Sequence, residues 1–140
     1  MAQIGLSLIS VFLALVSTVP RTIERAFLGN DAAVLAELFS RDTPVFVSLP
    51  EPIAFSDIVT REQAYWVFER IFRSYPTIEF YPQTDRRPVF FRGGFIVKAR
   101  WSFLDAATGN QHPLQVFLYL RPDRGSRPLW TIAEIKAEKI

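Results

Sequence analysis

The chain contains no cysteine and only one histidine. Without cysteine it can form no disulfide, no thiolate zinc site and no cysteine nucleophile. A metal site built on several histidines is excluded because His112 stands alone, in a predicted loop where a single histidine is usually solvated. The sequence also lacks a phosphate-binding glycine loop and any Ser/His/Asp arrangement. It therefore indicates no metal and no cofactor.

An excess of charge of either sign is also missing. The 16 basic and 14 acidic residues leave a formal net charge of +2, which is too small to indicate nucleic acid or a membrane surface as the partner. The 140 residues are enough for one domain with its own core. The 13 Phe, 4 Tyr and 3 Trp favour a core rich in β-sheet.

The first 19 residues carry no charged side chain, and Ile4 to Val19 is almost wholly apolar. This run is short for a membrane span, which needs about 20 residues, and it is more typical of a signal peptide. We therefore expect residues 1–19 to be a signal peptide and residues 20–140 to be the domain, with no membrane span in the mature chain. A retained N-terminal anchor and a core helix of the domain remain the alternatives.

The strongest pattern in the sequence is one long amphipathic helix from Thr60 to Tyr75. Thr60 and Gln63 have the spacing of a capping box, and Pro76 ends the helix because it has no amide hydrogen. Apolar residues recur at three- and four-residue spacing and form one stripe, made of Ala64, Val67, Phe68, Ile71, Phe72 and Tyr75. We expect this stripe to cover a sheet.

Shorter elements surround the long helix. Capping residues predict two short helices, and alternation with period two predicts the strands. Gly and Pro mark the connections between them. The helices are Arg21 to Leu28 and Ala32 to Phe39. The strands are Thr43 to Leu49, Thr77 to Tyr81, Pro88 to Arg92, Phe95 to Phe103, Leu114 to Arg121 and Leu129 to Lys136, with connections at Pro50 to Ile58, Asp105 to His112 and Pro122 to Pro128. Strands grouped after helices predict an α+β domain with an antiparallel sheet covered on one face.

This pattern resembles the NTF2-like (cystatin-like) superfamily, and within it the small bacterial domain of unknown function DUF4783. The resemblance rests on packing motifs over residues 20–140. They are Ile23, Ala26 and Phe27 before Gly29, then Asn30-Asp31-Ala32 with Leu35, Leu38 and Phe39, then Gln63-Ala64, Val67-Phe68, Phe72, Tyr75-Pro76 and Phe80, and finally Ile135 to Lys139. The sequence departs from the family after Phe80, where Pro82-Gln83-Thr84 replaces a His-Gly type turn. The resemblance implies a cone of N-terminal helices and one long helix on a curved antiparallel sheet, exported to the periplasm or cell envelope of a bacterium, and it assigns no catalytic residue.

Two sets of residues are candidates for a site. Aromatic side chains at the mouth of such a cone would bind a small apolar ligand or a protein partner, and Tyr65, Trp66, Trp101 and Tyr119 are predicted there. An isomerase or dehydratase would instead need a carboxylate tuned by burial, for which Asp105 and Glu134 are the candidates.

Aromatic and aliphatic residues also occur on the strand face predicted to point away from the helices. Phe117 and Tyr119 oppose the Leu/Val face of their strand, and Trp130 with Ile132 does the same on the last one. A sheet face open to water should be polar, so we expect this face to be partly covered, for example in a homodimer. Binding, catalysis and an envelope scaffold remain alternative functions, of which non-catalytic binding or scaffolding is favoured.

Overall fold

The computed structural model describes residues 18–83, 89–123 and 130–140. The predicted signal peptide therefore lies almost wholly outside the described residues, as does most of the connection Pro122 to Pro128. Helix α1 covers residues 18–28 of the described range, α2 is Ala32–Glu37 and α3 is Arg61–Ser74. The strands are β1 Val45–Leu49, β2 Phe55–Val59, β3 Thr77–Pro82, β4 Val89–Phe91, β5 Gly94–Leu104, β6 Gln111–Pro122 and β7 Trp130–Lys139.

The seven strands form one curved sheet in the order β2-β1-β7-β6-β5-β3, and β4 pairs with β5 beside the end of β3. All pairs are antiparallel except β1 with β7, which is parallel. The helices cover one face of this sheet. The α+β architecture predicted from the grouping of helices and strands is therefore confirmed, although a parallel pair in the middle of the sheet was not expected.

Helix α3 has the predicted capping box. Thr60 Oγ1 accepts a hydrogen bond from the Gln63 amide, and Gln63 Oε1 accepts one from the Thr60 amide. The helix ends at Ser74, one residue before the predicted end, and the Tyr75 amide still donates to the Ile71 carbonyl at 2.7 Å. Most of the apolar stripe is buried, whereas Val67 and Tyr75 are half-buried against the core.

The two N-terminal helices differ slightly from the prediction. Residue 18 is already helical, so Pro20 is not the first helical residue. Asp31 caps α2 by accepting a hydrogen bond from the Val34 amide at 3.1 Å. Helix α2 ends at Glu37 instead of Phe39, because the chain turns there to bring Phe39 beside Ile132 of β7.

The segment Pro50 to Ile58 was predicted as a connection, and this is wrong in its second half. Phe55–Val59 forms β2 and pairs with β1 along its whole length, for example Phe46 with Ile58. The strand lies at the edge of the sheet and is exposed over most of its residues. An edge strand exposed in this way does not need the alternation of apolar and polar residues by which strands are recognised.

The predicted orientation of Trp130 and Ile132 is also wrong. Tyr119 pairs with Glu134 while Leu120 pairs with Ile132, so Ala133 is an extra residue in β7. Such a bulge shifts the alternation by one position. As a result, Trp130 and Ile132 are 8% and 0% exposed on the same side as the helices.

Strands β4 and β5 form a tight hairpin. Phe91 pairs with Gly94, and the two residues between them, Arg92 and Gly93, have φ of 49° and 80°. Positive φ at both central positions is the geometry of a type I′ turn, whose twist fits a two-residue hairpin. A Cβ at Gly94 would overlap the Leu120 carbonyl oxygen, so glycine also allows β5 and β6 to approach closely there.

No helix in the described part of the chain is long and apolar enough to cross a membrane.

Removing one ring from the stripe of α3 should destabilise the domain. Phe72 is 4% exposed and contacts Phe27 and Phe68 at ring-centroid distances of 5.6 and 5.7 Å. We expect Phe72→Ala to lower the free energy of unfolding by about 3 to 5 kcal/mol, measured by chemical denaturation. The control is Trp66→Ala on the same helix, which is 65% exposed and should change stability by about 0.5 kcal/mol or less. Equal losses for the two variants would contradict this account of the core.

Candidate interaction surface

Aromatic rings fill the space between the helices and the sheet. Phe27 of α1 stacks on Phe80 of β3 at a centroid distance of 4.3 Å and meets Trp101 of β5 edge-on at 5.1 Å. Phe68 and Phe72 of α3 contact the same Phe27 ring at 6.4 and 5.6 Å. All five side chains are at most 4% exposed. We call them the aromatic cluster. They occupy the concave side of the sheet, which is where the sequence analysis placed a possible ligand site.

A short chain of hydrogen bonds fixes one member of the cluster. Trp101 Nε1 donates to Thr77 Oγ1 at 2.9 Å, and the Thr77 amide donates to Asn30 Oδ1 at 2.8 Å. Asn30 has φ of 49°, a left-handed conformation that asparagine adopts more readily than most residues. The turn after α1, the start of β3 and the middle of β5 are thereby connected.

The structure does not bring the four predicted ligand-binding residues together. Trp101 is fully buried in the aromatic cluster. Tyr119 lies on the opposite face of the sheet, where its hydroxyl donates to the carbonyls of Phe91 and Arg92 at 2.9 Å. Tyr65 and Trp66 contact each other on α3 at a centroid distance of 5.0 Å, and Trp66 is 65% exposed. Ligand binding at any of these residues stays a prediction.

The two candidate catalytic carboxylates are also far apart. Asp105 lies in the turn after β5, where its Oδ1 accepts a hydrogen bond from the Ala107 amide. Glu134 lies on β7 opposite Tyr119, on the face away from the helices. The turn joins β6 at Gln111, so eight residues of strand separate the two positions, or roughly 25 Å. In the described part of the chain the buried polar residues are Ser40 and Thr131, whereas Asp105 and Glu134 are half-buried. The carboxylate oxygen that is enclosed there without a hydrogen-bond partner is Oδ2 of the half-buried Asp123.

A cleft of about 200 Å³ lies between β3, β5 and β6, lined by Ile78, Glu79, Arg100, Ser102, Gln111, His112 and Pro113. A bulge in β3 turns both Ile78 and Glu79 toward it. The His112 ring stacks on Phe103, a core residue, at a centroid distance of 5.7 Å. Arg100 and Ser102 alternate along β5 with the buried Trp101 and Phe103, so their side of the cleft is the outer face of the sheet, away from the aromatic cluster.

The outer face of the sheet carries an apolar row that crosses almost every strand. The cross-strand register places one residue from each of six strands side by side in a row across the sheet, which we call a level. In order across the sheet, these residues are Val89, Ile96, Tyr119, Glu134, Phe46 and Ile58. Of these, Val89 is 49% exposed and Ile58 is 62% exposed. Phe91 contacts Tyr119 at 6.2 Å, and Phe117 lies one level further along β6. We call the apolar residues Val89, Phe91, Ile96, Phe117, Tyr119, Phe46 and Ile58 the outer band.

Charged side chains lie within and beside the outer band. Phe117 is flanked on its own level by Lys98 and Lys136, and the Lys98 ammonium lies 5.8 Å from the Phe117 ring centroid. Glu134 stands between Tyr119 and Phe46. In the part of the chain that the structure describes, none of these three charged side chains forms a salt bridge, because the one pair found there joins Arg73 and Glu69.

The sequence identified two of the seven residues of the outer band. The alternation along β6 identified Phe117 and Tyr119 as residues of the outer face. Phe46 and Ile58 were missed because β2 was not predicted, and because no sequence pattern shows that β1 lies in parallel beside β7. The signal that could have found Phe46 is the run Val45 to Leu49, in which this aromatic residue occupies a polar position of the alternation.

Removing the hydrogen-bond partner of Trp101 should cost stability without changing the shape of the core. Thr77→Val keeps the branched side chain but leaves the buried Trp101 N–H without an acceptor. We expect a loss of about 1 to 3 kcal/mol in the free energy of unfolding, measured by chemical denaturation. Thr77→Ser keeps the hydroxyl and should lose less. Equal stabilities of the valine and serine variants would show that the hydrogen bond does not matter.

No protein-family model matches the sequence, and no curated protein matches it either.

Solved structures, in contrast, share the fold over most of the chain. A ketosteroid isomerase-like protein from Erwinia carotovora atroseptica superposes with a TM-score of 0.67 at 15% identity, covering 91% of this chain and 95% of that one. A DUF4783 family protein from Bacteroides uniformis gives 0.64 at 12% identity, covering 87% and 97%. A second DUF4783 protein, from Bacteroides ovatus, gives 0.61 at 14% identity, covering 84% and 92%. The chain therefore has the NTF2-like fold, as the resemblance in its packing motifs implied, and the DUF4783 proteins are among the structures that it resembles.

Proposed function

We propose that this chain is a non-catalytic NTF2-like domain that works by binding a protein partner through the outer band. The observation that carries the proposal is the exposure of large apolar side chains on a sheet face that none of the described helices covers. Phe46, Ile58, Val89 and Phe91 are 36% to 62% exposed, although a solvated sheet face normally carries polar residues. Apolar surface of this extent on a folded domain is typical of an interaction site.

The composition of the outer band supports a protein as the partner. Phe117 and Tyr119 are half-buried aromatic residues near the middle of the band, with charged residues beside them. Aromatic side chains surrounded by a polar rim are the usual arrangement of residues that dominate protein–protein binding energy. The Tyr119 ring is also held in place, because its hydroxyl donates to two carbonyls of the β4–β5 turn.

The concave side of the sheet favours the same conclusion. Where cones of this fold can hold a ligand, this chain places the five rings of the aromatic cluster. A small apolar ligand would have to displace side chains that are at most 4% exposed, such as Phe27 and Phe80. The isomerase or dehydratase alternative lacks support as well, because Asp105 lies in an exposed turn and Glu134 belongs to the outer face.

We further propose that the domain is exported, on the strength of the uncharged and apolar residues 1–19. The chain has no cysteine, so its fold depends on no disulfide and is compatible with an oxidising or a reducing compartment.

A photo-crosslinking amino acid placed on the outer face tests the binding proposal. Benzoylphenylalanine in place of Phe117, in the full chain produced in its own cells, should give a covalent adduct with a protein on irradiation. The matched control carries the same probe in place of Trp66, which is exposed on α3 on the other side of the molecule. An adduct at both positions, or at neither, would contradict binding through the outer band.

The mass of the adduct identifies the kind of partner. An adduct of twice the mass of the chain indicates a second copy, and any other mass indicates a different protein. Release of a small apolar molecule from the native protein on denaturation, with no adduct at Phe117, would support the ligand-binding alternative instead.

Export is tested by the mass of the native protein. We expect the chain recovered from outside the cytoplasm to lack roughly the first 19 residues, because a signal peptide of the usual length is removed on export. Intact-mass measurement gives the new N-terminus directly. A full-length chain recovered only from the cytoplasm would contradict the proposal.

A further inference from the structure

We propose that the cleft between β3, β5 and β6 binds a small zwitterion, and that an α-amino acid with an aliphatic side chain is the kind of molecule that fits it. This goes beyond the proposed function and does not depend on it, because the cleft shares no residue with the outer band. Pro113 of the cleft and Phe117 of the outer band are four residues apart on β6, which corresponds to about 13 Å. The two surfaces can therefore be tested separately.

Two opposite charges line the cleft on neighbouring strands without pairing with each other. Glu79 of β3 pairs across the strands with Ser102 of β5, and Arg100 lies two residues before Ser102 on the same face. Such diagonal neighbours are roughly 7 to 8 Å apart, which is within reach of two long side chains. The salt bridge found in the described part of the chain joins Arg73 and Glu69 instead. Both charged groups of the cleft are exposed and can therefore meet a ligand.

The presence of both charges decides the class of ligand. A simple carboxylate that approaches the Arg100 guanidinium also approaches the Glu79 carboxylate, and a simple amine meets the same two groups with the signs reversed. A molecule with both an ammonium and a carboxylate meets an opposite charge at each end. The guanidinium can also bind a carboxylate through two parallel N–H donors. The cleft therefore favours a zwitterion over either simple ion.

The size of the cleft limits the ligand further. Its volume of about 200 Å³ is that of roughly seven water molecules in the liquid. Pockets for drug-sized ligands begin at about 300 Å³, so only a small molecule fits. Ile78, which is 41% exposed, and Pro113 add apolar surface to the lining. An aliphatic amino acid matches the volume, the two charges and this apolar surface.

Neutral polar side chains complete the cleft. Ser102 and Gln111 carry a hydroxyl and an amide, each of which can donate or accept a hydrogen bond. They can therefore bind the carboxylate or ammonium atoms that the two charged residues leave unpaired. The His112 ring stacks on the buried Phe103 at a centroid distance of 5.7 Å, and this contact holds it as part of the wall.

Leucine and two analogues that each lack one charge provide the experiment. Isocaproate keeps the aliphatic chain and the carboxylate, and isoamylamine keeps the chain and the ammonium. Each is titrated into the full chain while the amide resonances of the cleft residues are followed by NMR. We expect saturable shifts with leucine at a dissociation constant on the order of 1 mM, as is usual for so small a ligand. Each analogue should bind about 5-fold more weakly or worse, because one charge of the protein then stays unmatched.

Two substitutions assign the two charges to residues. Arg100→Gln should weaken the binding of leucine and isocaproate by about 3- to 10-fold and should not weaken that of isoamylamine. Glu79→Gln should weaken leucine and isoamylamine by a similar factor and should not weaken isocaproate. A substitution that merely distorted the cleft would weaken all three ligands, so this reciprocal pattern identifies the charge that each residue binds.

Arg121→Gln is the matched control. It makes the same change as Arg100→Gln at another exposed strand position, but Arg121 pairs with Thr131 at the far end of β6. Its binding of leucine should equal that of the unaltered chain. Thermal unfolding of all three variants shows whether the fold is intact, as expected for substitutions of exposed side chains.

The possible outcomes separate the ligand class from the site. Leucine that binds no more tightly than both analogues would overturn a zwitterion as the ligand. Leucine that causes no saturable shift, or shifts only resonances outside the cleft, would overturn the site itself. Neither result affects the outer band, which the crosslinking experiment at Phe117 tests independently.

Discussion

The position of the Phe27 ring constrains most of the structure. It contacts both rings that α3 contributes to the aromatic cluster, as well as Phe80 of β3 and Trp101 of β5. Helix α1, helix α3 and the sheet therefore share one packing centre, and none of them can move without opening a gap against the others. The same ring helps to fill the concave side of the cone, so the large apolar side chains of the outer band lie on the other side of the sheet.

Local patterns made the long helix and the central strands predictable. The capping box of Thr60 and Gln63 and the stripe of α3 depend only on residues close in sequence, and the structure has both. Strands β5 and β6 alternate cleanly because one face packs against the helices and the other does not. Element type is well specified where one burial pattern continues over ten residues or more.

The errors come from features that depend on residues distant in sequence or on a single inserted residue. Strand β2 is held by its pairing with β1 and has little burial of its own, so its sequence carries no period. The bulge at Ala133 reverses the faces of Trp130 and Ile132, and nothing in the local sequence marks it. The separation of the predicted ligand-binding residues also depends on pairing between strands. Trp101 and Tyr119 are both aromatic residues on long strands, but the register of β5 with β6 places them on opposite faces.

The pleat of the sheet separates the residues that stabilise the core from the residues of the outer band. Along β6, Leu118 is fully buried against the helices while its neighbours Phe117 and Tyr119 point to the outer face. A substitution at an outer position removes no atom from the aromatic cluster, so the residues of the outer band can vary at little cost to the fold. The concave side has no such freedom, since each ring there contacts several others and its loss leaves a cavity. In this domain, whose concave side is filled by side chains, the residues that can vary most freely are therefore those on the outer face of the sheet.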